Sequence, residues 1–363
     1  MTNDAFDAKR VVWWGRSDVS YSRNGVIRSA MQKLGFSVYD FKPRCAFTGH
    51  LEAKVTSGCN ADFVWVPCFR QRDVVSASKW AKKKNIPLIF DPLISAYDKQ
   101  VFERNKFAPT SKAADRLLRW ESKLFQLADV LIADTWLHAQ YFQEKFNVRS
   151  ENIFVIPVGA EEQLFKPIAN KETGDQSKYH VLFYGNFLEL HGVDTICEAI
   201  LQNTNPAIEW TLVGDGPMKA GAIKKCGSLP NVHFVGWEDC PYESLPTYIH
   251  NANLVLGIFG TGDKASRVIP NKVYQAIACG RPVLTMRSEA YPKELLASST
   301  SGFHWVEQGN ASAIVKAVEL AIGCEQLQDN AAAFGTYKTY FSKVKVEEAL
   351  GQALASAAGS LSK

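Results

Sequence analysis

The sequence predicts an α/β protein made of two doubly wound, parallel-sheet domains in tandem, and three observations carry that prediction. Apolar runs of four to six residues alternate with helical segments, the pattern of crossover units in which a helix returns the chain to a parallel strand. The alternation breaks once, over residues 157–178, and then restarts. A chain of 363 residues also exceeds the roughly 250–300 at which single cores stop growing.

In the first half the strand candidates are Val11–Trp14, Ser37–Phe41, Asp62–Val66, Pro87–Phe90, Val130–Ala133 and Ile153–Ile156. Helical segments lie between them at Asn24–Leu34, Asp73–Lys84, Lys112–Leu127 and Thr135–Phe146, with Asn24 a possible cap and Arg23 left to face an anion. The stretch PVGAEEQLFKPIANKETGDQSK is polar and Gly-containing after its first residues and reads as a linker. Strands then resume at Val181–Tyr184, Glu209–Val213, Val232–Val235, Leu254–Ile258 and Pro282–Met286, with helices near 192–202, 217–226, 244–251 and 271–279. The expected organisation is a first domain over 1–165, a linker at 166–178, a second domain over 179–340 and a terminal helix within 341–363.

Composition is globular, at 46% hydrophobic and 21% charged. The polar start MTNDAFDAKR and the lack of any long apolar run lead to the expectation of a cytoplasmic protein with no signal or membrane span. Eight cysteines without a C-x-x-C pair read as reduced core thiols, and no metal site is expected. Residues 1–165 hold 24 Lys+Arg against 18 Asp+Glu, while the rest hold 17 against 19. That basic excess is a solvated surface or a contact for an anionic membrane, with Lys82–Lys84, Arg70, Arg72, Lys79 and Trp80 as contact points. Nothing points to nucleic acid.

Parallel sheets bind ligands beyond the carboxyl ends of their strands, so the turns after strands are where chemistry is expected. In FYGNFLELHGVDTICEA, Gly185 follows a strand and His191 and Gly192 open a helix, an arrangement able to hold an anion. LVGDGPMK places Gly214 and Gly216 after the next strand but has Lys219 where a dinucleotide fingerprint needs its third glycine. RVIPNKVYQAIACGRPVLT sets Arg267 and Lys272 around a helix N-terminus, the end whose dipole repels cations. An anion between them and the helix amides would resolve that conflict.

YGNFLELHG, LVGDGPM, NVHFVGW, ANLVLGIF and PNKVYQAIACGRPVLT, in this order, give the chain a resemblance to glycosyltransferases of the GT-B fold, close to the large retaining family four. GRSDVSYSRNGVIRSAMQKLGFSVYDF and VIPVGAEEQLF extend the resemblance to the first half. It implies two Rossmann-like domains with a cleft between them, the second binding a nucleotide-sugar co-substrate and the first an acceptor, and a last helix, Lys343–Ala358, crossing back to the first domain. No other cofactor is implied.

The chain departs from the family in its donor motif. Asn186 and His191 stand where an arginine and a lysine commonly bind the donor diphosphate, and Arg267 and Gln275 stand where a glutamate pair contacts sugar and ribose. The implied donor set is Gly15, Gly185, Asn186, His191, Gly214, Gly236, Arg267, Lys272 and Gln275, with Arg267 and Lys272 taking over the phosphate charge. Gln275 is expected at the ribose. Asp91, ending a strand, and Asp98 are the candidate bases, and His138 is read as a helix-surface residue.

The expected reaction is metal-independent, retaining transfer from a UDP-sugar, with GDP the runner-up. The acceptor is a saccharide or lipid-linked hydroxyl in cell-envelope polysaccharide or glycolipid synthesis, reached from the cytosolic membrane face. A sugar-nucleotide epimerase and an inactive nucleotide-sugar-binding module are the alternatives.

Overall fold

The computed structural model describes residues 9–56, 61–168, 177–299, 301–323 and 330–360. Most of the expected linker, Cys59, Cys324 and the first eight residues lie outside the described residues. The chain divides into two compact units, Met1–Val158 with Lys343–Lys363, and Gly159–Ser342.

Unit 1 runs β1 (Arg10–Trp14), α1 (Ser22–Lys33), β2 (Ser37–Phe41), α2 (Gly49–Thr56), β3 (Phe63–Val66), α3 (Val74–Lys84), β4 (Leu88–Phe90), α4 (Ala96–Asp98), α5 (Lys112–Phe125), β5 (Val130–Ala133), α6 (Trp136–Phe146) and β6 (Ile153–Val155). Unit 2 continues with β7 (Tyr179–Tyr184), α7 (Val193–Gln202), β8 (Ile208–Val213), α8 (Lys219–Cys226), β9 (Val232–Val235), α9 (Leu245–Asn251), β10 (Leu254–Leu256), α10 (Asp263–Arg267), α11 (Asn271–Ala278), β11 (Val283–Met286), α12 (Lys293–Ala297), β12 (Phe303–Val306), α13 (Ala311–Ile322) and α14 (Asn330–Thr336). The last helix, α15 (Lys343–Ser360), belongs to unit 1.

Each unit holds one six-stranded sheet, ordered β2-β1-β3-β4-β5-β6 and β12-β11-β10-β7-β8-β9, and every strand pair is parallel. Helices cover both faces, so the central strands are apolar throughout, as in Phe63–Val66 and Val130–Ala133, which are buried at every residue. In unit 1 one face packs Trp14, Trp80, Phe125, Phe142 and Phe146, and the other packs α1 and α15 through Ile27, Met31, Val346 and Leu350. In unit 2 the core gathers Phe183, Phe187, Trp210, Ile258 and Phe259.

Strand order fixes where ligands can enter. Each sheet reverses its winding beside its first strand, between β1 and β3 in unit 1 and between β7 and β10 in unit 2. Outward-diverging connections open a crevice at such a point. The loops after β7 and β10 are therefore the positions of interest in unit 2.

Several expectations are corrected here. Trp80 is buried in the core rather than exposed. Lys82–Lys84 form the last turn of α3, where cations complement the helix dipole, and Asn85 closes the helix in the left-handed region. His138 is buried, joined through Nδ1 to Asp134 and stacked on Phe142. Arg23 faces Asp91 instead of solvent, and α1 begins at Ser22 with no side-chain cap, the Asn24 amide donating to the Asp18 carbonyl. The strand β12 and the helices α2, α4, α10, α12, α13 and α14 were not read from the sequence.

Candidate functional site

Three segments meet beyond the carboxyl ends of β7 and β10 in unit 2. β7 ends at Tyr184, and Gly185 follows with φ +150°, its N–H donating to the Val213 carbonyl at 3.0 Å. A side chain at Gly185 would place Cβ 2.9 Å from His191 Cε1 and 3.1 Å from Lys272 Nζ. Glycine is thus required by conformation, and its missing side chain is where the imidazole and the ammonium meet.

His191 ends a short 3-10 turn, Glu189–His191, and Gly192 takes φ +68° to open α7. A Cβ at Gly192 would lie 2.6 Å from the Phe259 carbonyl carbon, so the turn lies directly on the loop after β10. The imidazole is 8% exposed, packs edge-on to Phe183 with centroids 5.8 Å apart, and its buried Nδ1 has no hydrogen-bond partner. Burial first, and Lys272 second, hold His191 well below the usual histidine range.

Lys272 is the second residue of α11, which Pro270 precedes in extended geometry. Its ammonium is 4% exposed, lies 3.9 Å from the centre of the Phe183 ring and has no hydrogen-bond partner. Burial pulls its pKa well below that of an ordinary lysine. The ring offers a cation–π contact of roughly 2 kcal/mol when desolvated, less than the several kcal/mol that an unpaired buried charge costs. The ring contact therefore leaves most of the burial cost of the ammonium unanswered.

Gln275 lies one turn further along and is 3% exposed. Tyr184 Oη donates to Gln275 Oε1 at 3.1 Å and also lies 3.1 Å from the Lys272 carbonyl. Gln275 Nε2 donates to Tyr242 Oη at 2.9 Å, and Tyr242 donates to Glu161 Oε2 at 3.1 Å. Each end of the amide is occupied by a tyrosine, which makes Gln275 a brace for α11. Arg267, half-buried, ends α10, a helix that packs against the 189–191 turn.

Asn186, Gly214, Gly216 and Gly236 shape the backbone of the loops after β7, β8 and β9. Asn186 is exposed, and its carbonyl would lie 1.7 Å from a Cβ at Gly216. A Cβ at Gly214 would come within 2.0 Å of the Gly185 carbonyl. These two glycines let the loops after β7 and β8 nest. Asp215 ties that nest down by accepting from Lys219 Nζ at 2.6 Å and Trp237 N at 2.8 Å. Gly236 is buried at the end of β9, beside the Glu238 carboxylate.

In unit 1, Gly15 has φ +124° and lies against Arg70 and Asp73, a hydrogen-bonded ion pair with Nε–Oδ2 2.7 Å. Asp91 accepts from Arg23 Nε at 2.9 Å, and Arg23 Nη1 donates to the Ile156 and Pro157 carbonyls at 2.9 and 2.7 Å. Both partners are buried. Burial pushes the Asp91 carboxyl up while Arg23 opposes it. Committed to Arg23, Asp91 ties the ends of β4 and β6 to α1. Asp98 is buried at the end of α4. Phe69, by contrast, is exposed with φ +63°, a left-handed conformation rare for an aromatic residue, edge-on to Tyr21.

The structure therefore brings together Gly185, His191 and Lys272, with Gly214 and Gly216 supporting them. Sequence reasoning missed Phe183, the ring beneath both basic groups, because an apolar strand residue carries no signal of a cationic neighbour. It also missed Tyr184 and Tyr242. Among the described residues no group of three or more His, Cys, Asp or Glu could hold a metal ion.

Residues 178–323 match the family model of Glycosyl transferases group 1. No curated protein matches the chain by sequence. Among solved structures, the chain is similar to Anabaena HepE in complex with UDP and glucose, at TM-score 0.69 and 17% identity over 96% of this chain and 100% of that one. Sucrose-phosphate synthase from Thermosynechococcus elongatus is similar at TM-score 0.73 and 15% identity, over 95% and 98% of the two chains. The apo form of the lipopolysaccharide outer core galactosyltransferase WaaB gives TM-score 0.62 and 14% identity over 96% and 99%.

Proposed function

We propose, for a chain that is a group 1 glycosyltransferase with the GT-B fold, that it transfers a sugar from a UDP-sugar to a hydroxyl of a saccharide or lipid-linked acceptor. The observation that carries the reading is the pair of buried, unpartnered basic nitrogens, His191 Nδ1 and Lys272 Nζ, which meet where Gly185 lacks a side chain. As the anomeric C–O bond breaks, negative charge grows on the departing diphosphate. A fixed cation in a water-poor site stabilises that charge without reorganising.

The charge that the family places on the loop after β7 comes here from α11, whose Lys272 reaches back over Phe183 to the same glycine. Arg267, on the adjoining α10, is the second candidate for phosphate contact. Charge supplied by the protein supports transfer without a metal ion. UDP is preferred over GDP because HepE was solved with UDP and glucose. Retention rests on the resemblance to the retaining family, and a cell-envelope acceptor on the likeness to WaaB. The basic first half supports work at the cytosolic face of an anionic membrane.

Isothermal calorimetry with UDP, GDP and uridine on the wild type and on Lys272→Met tests the reading. Losing a charge-assisted contact costs about 1.5–3 kcal/mol, so UDP should bind roughly 10- to 150-fold more weakly while uridine is unaffected. Without ligand the variant should be at least as stable as the wild type, since an unpaired buried charge has been removed. Equal weakening of UDP and uridine, or no nucleotide binding by the wild type, would overturn the proposal.

A further inference from the structure

We infer that His191 gains a proton when the donor diphosphate arrives beside Lys272, so that the imidazole brings to the leaving group a positive charge that it lacks in the ligand-free protein. This rests on the UDP-donor reading above. The geometry that carries it is the shared position of the two groups. Lys272 Nζ lies 3.9 Å from the Phe183 ring centre, the imidazole packs on the edge of the same ring, and both border the empty side of Gly185. His191 Nδ1 is buried and unpartnered, so the nitrogen that would carry the proton has no competing acceptor.

The charged groups around the pair leave the imidazole without a carboxylate partner. On its own turn Glu189 is exposed, and on α7 Asp194 is exposed and bonded to Lys225. On α10 stand Asp263, exposed, with the cationic Lys264 and Arg267. β7 contributes Phe183 and Tyr184, the latter turned to the Lys272 carbonyl and Gln275, and the loop after β10 contributes the apolar Phe259. None of these carboxylates bonds to His191 or Lys272. An ammonium alongside makes a second positive charge unfavourable in the free protein, and a diphosphate reverses the sign of that field.

The proton enters from solvent on binding and stays at His191 Nδ1 as a donor toward the diphosphate. The anomeric C–O bond then breaks with its electron pair going to the phosphate oxygen, and the acceptor hydroxyl forms the new bond to the anomeric carbon and passes its own proton to that departing phosphate oxygen. The charge on the imidazole adds to that of Lys272 in stabilising the negative charge that grows on the leaving group.

Titrating UDP at pH 7.5 in buffers of different ionisation enthalpy counts the protons taken up, because the terminal phosphate, with second pKa about 6, is by then ionised. About one proton should be taken up per UDP bound, and affinity should fall up to tenfold per pH unit as pH rises between the free and bound pKa of His191. In His191→Gln both the uptake and the slope should vanish while UDP still binds. Binding with no proton uptake by the wild type, or uptake unchanged in His191→Gln, would overturn the inference and leave the donor reading standing. An absence of UDP binding would instead bring down the donor reading beneath it.

Discussion

At Gly216 a methyl group would lie 1.7 Å from the Asn186 carbonyl, and the backbone is already at φ +150°. Neither a flexible neighbour nor an ordinary conformation is available, so Gly216→Ala should destabilise unit 2 by about 3 kcal/mol or more, read by urea unfolding. A change below about 1 kcal/mol would mean that the two loops do not nest as described. The glycines were legible as glycines, but their task was not. Sequence placed Gly214 among the donor ligands, and the structure adds that the Gly185 carbonyl occupies the space a side chain there would need. Lys272 was legible for a physical reason, since a cation at a helix N-terminus contradicts the dipole unless an anion answers it. Gln275 was not, because an amide serves equally as ligand and as brace, and only Tyr184 and Tyr242 settle which hydrogen bonds it makes.

Among elements, the strands that sequence found are those buried on both faces. β12 escaped because it is an edge strand, with His304 and Trp305 only half-buried, so no continuous apolar run marks it. The segment after β4 shows the opposite case, a polar group that only packing explains. Glu121, on α5, accepts from Ser95 Oγ, Ala96 N and Tyr97 N at 2.7, 2.5 and 2.7 Å, closing the N-terminus of α4. Burial raises its pKa from the ordinary 4.5 to about 7 despite those donors. The folded state then keeps a proton that the unfolded chain has lost. The corresponding stabilisation is complete below 4.5 and lost as pH rises through about 7, on the order of 3 kcal/mol in all. Glu121→Gln has no such titration, so the stability advantage of the wild type over it should shrink from pH 5 to pH 8 in urea unfolding. A pH-independent difference would place the carboxylate in its ionised form throughout.

For the whole molecule, the chain contributes to unit 1 twice, through its first half and through α15. Val346, Leu350, Ala353, Leu354 and Ala357 lie on the α1 face of that sheet, all buried. Leu350→Ala should cost about 2–5 kcal/mol, seen as a lower unfolding midpoint, while the UDP binding proposed for unit 2 stays unchanged. Paired with Lys272→Met, the two stability effects should add within about 0.5 kcal/mol, as for sites with no shared partner. Strong coupling between them would contradict their placement in separate units.

The sequence by itself determined the two parallel sheets, because a strand covered on both faces must be apolar and a crossover must be long, and both requirements are written in local composition. It also determined that charge gathers near the start of α11. Tertiary structure alone decided that Lys272 lies over Phe183 and meets His191 at Gly185, and that Asp91 belongs to Arg23. Those partners are far apart along the chain, and their meeting depends on strand order and on burial, which set both the distance between charges and the solvent left to screen them.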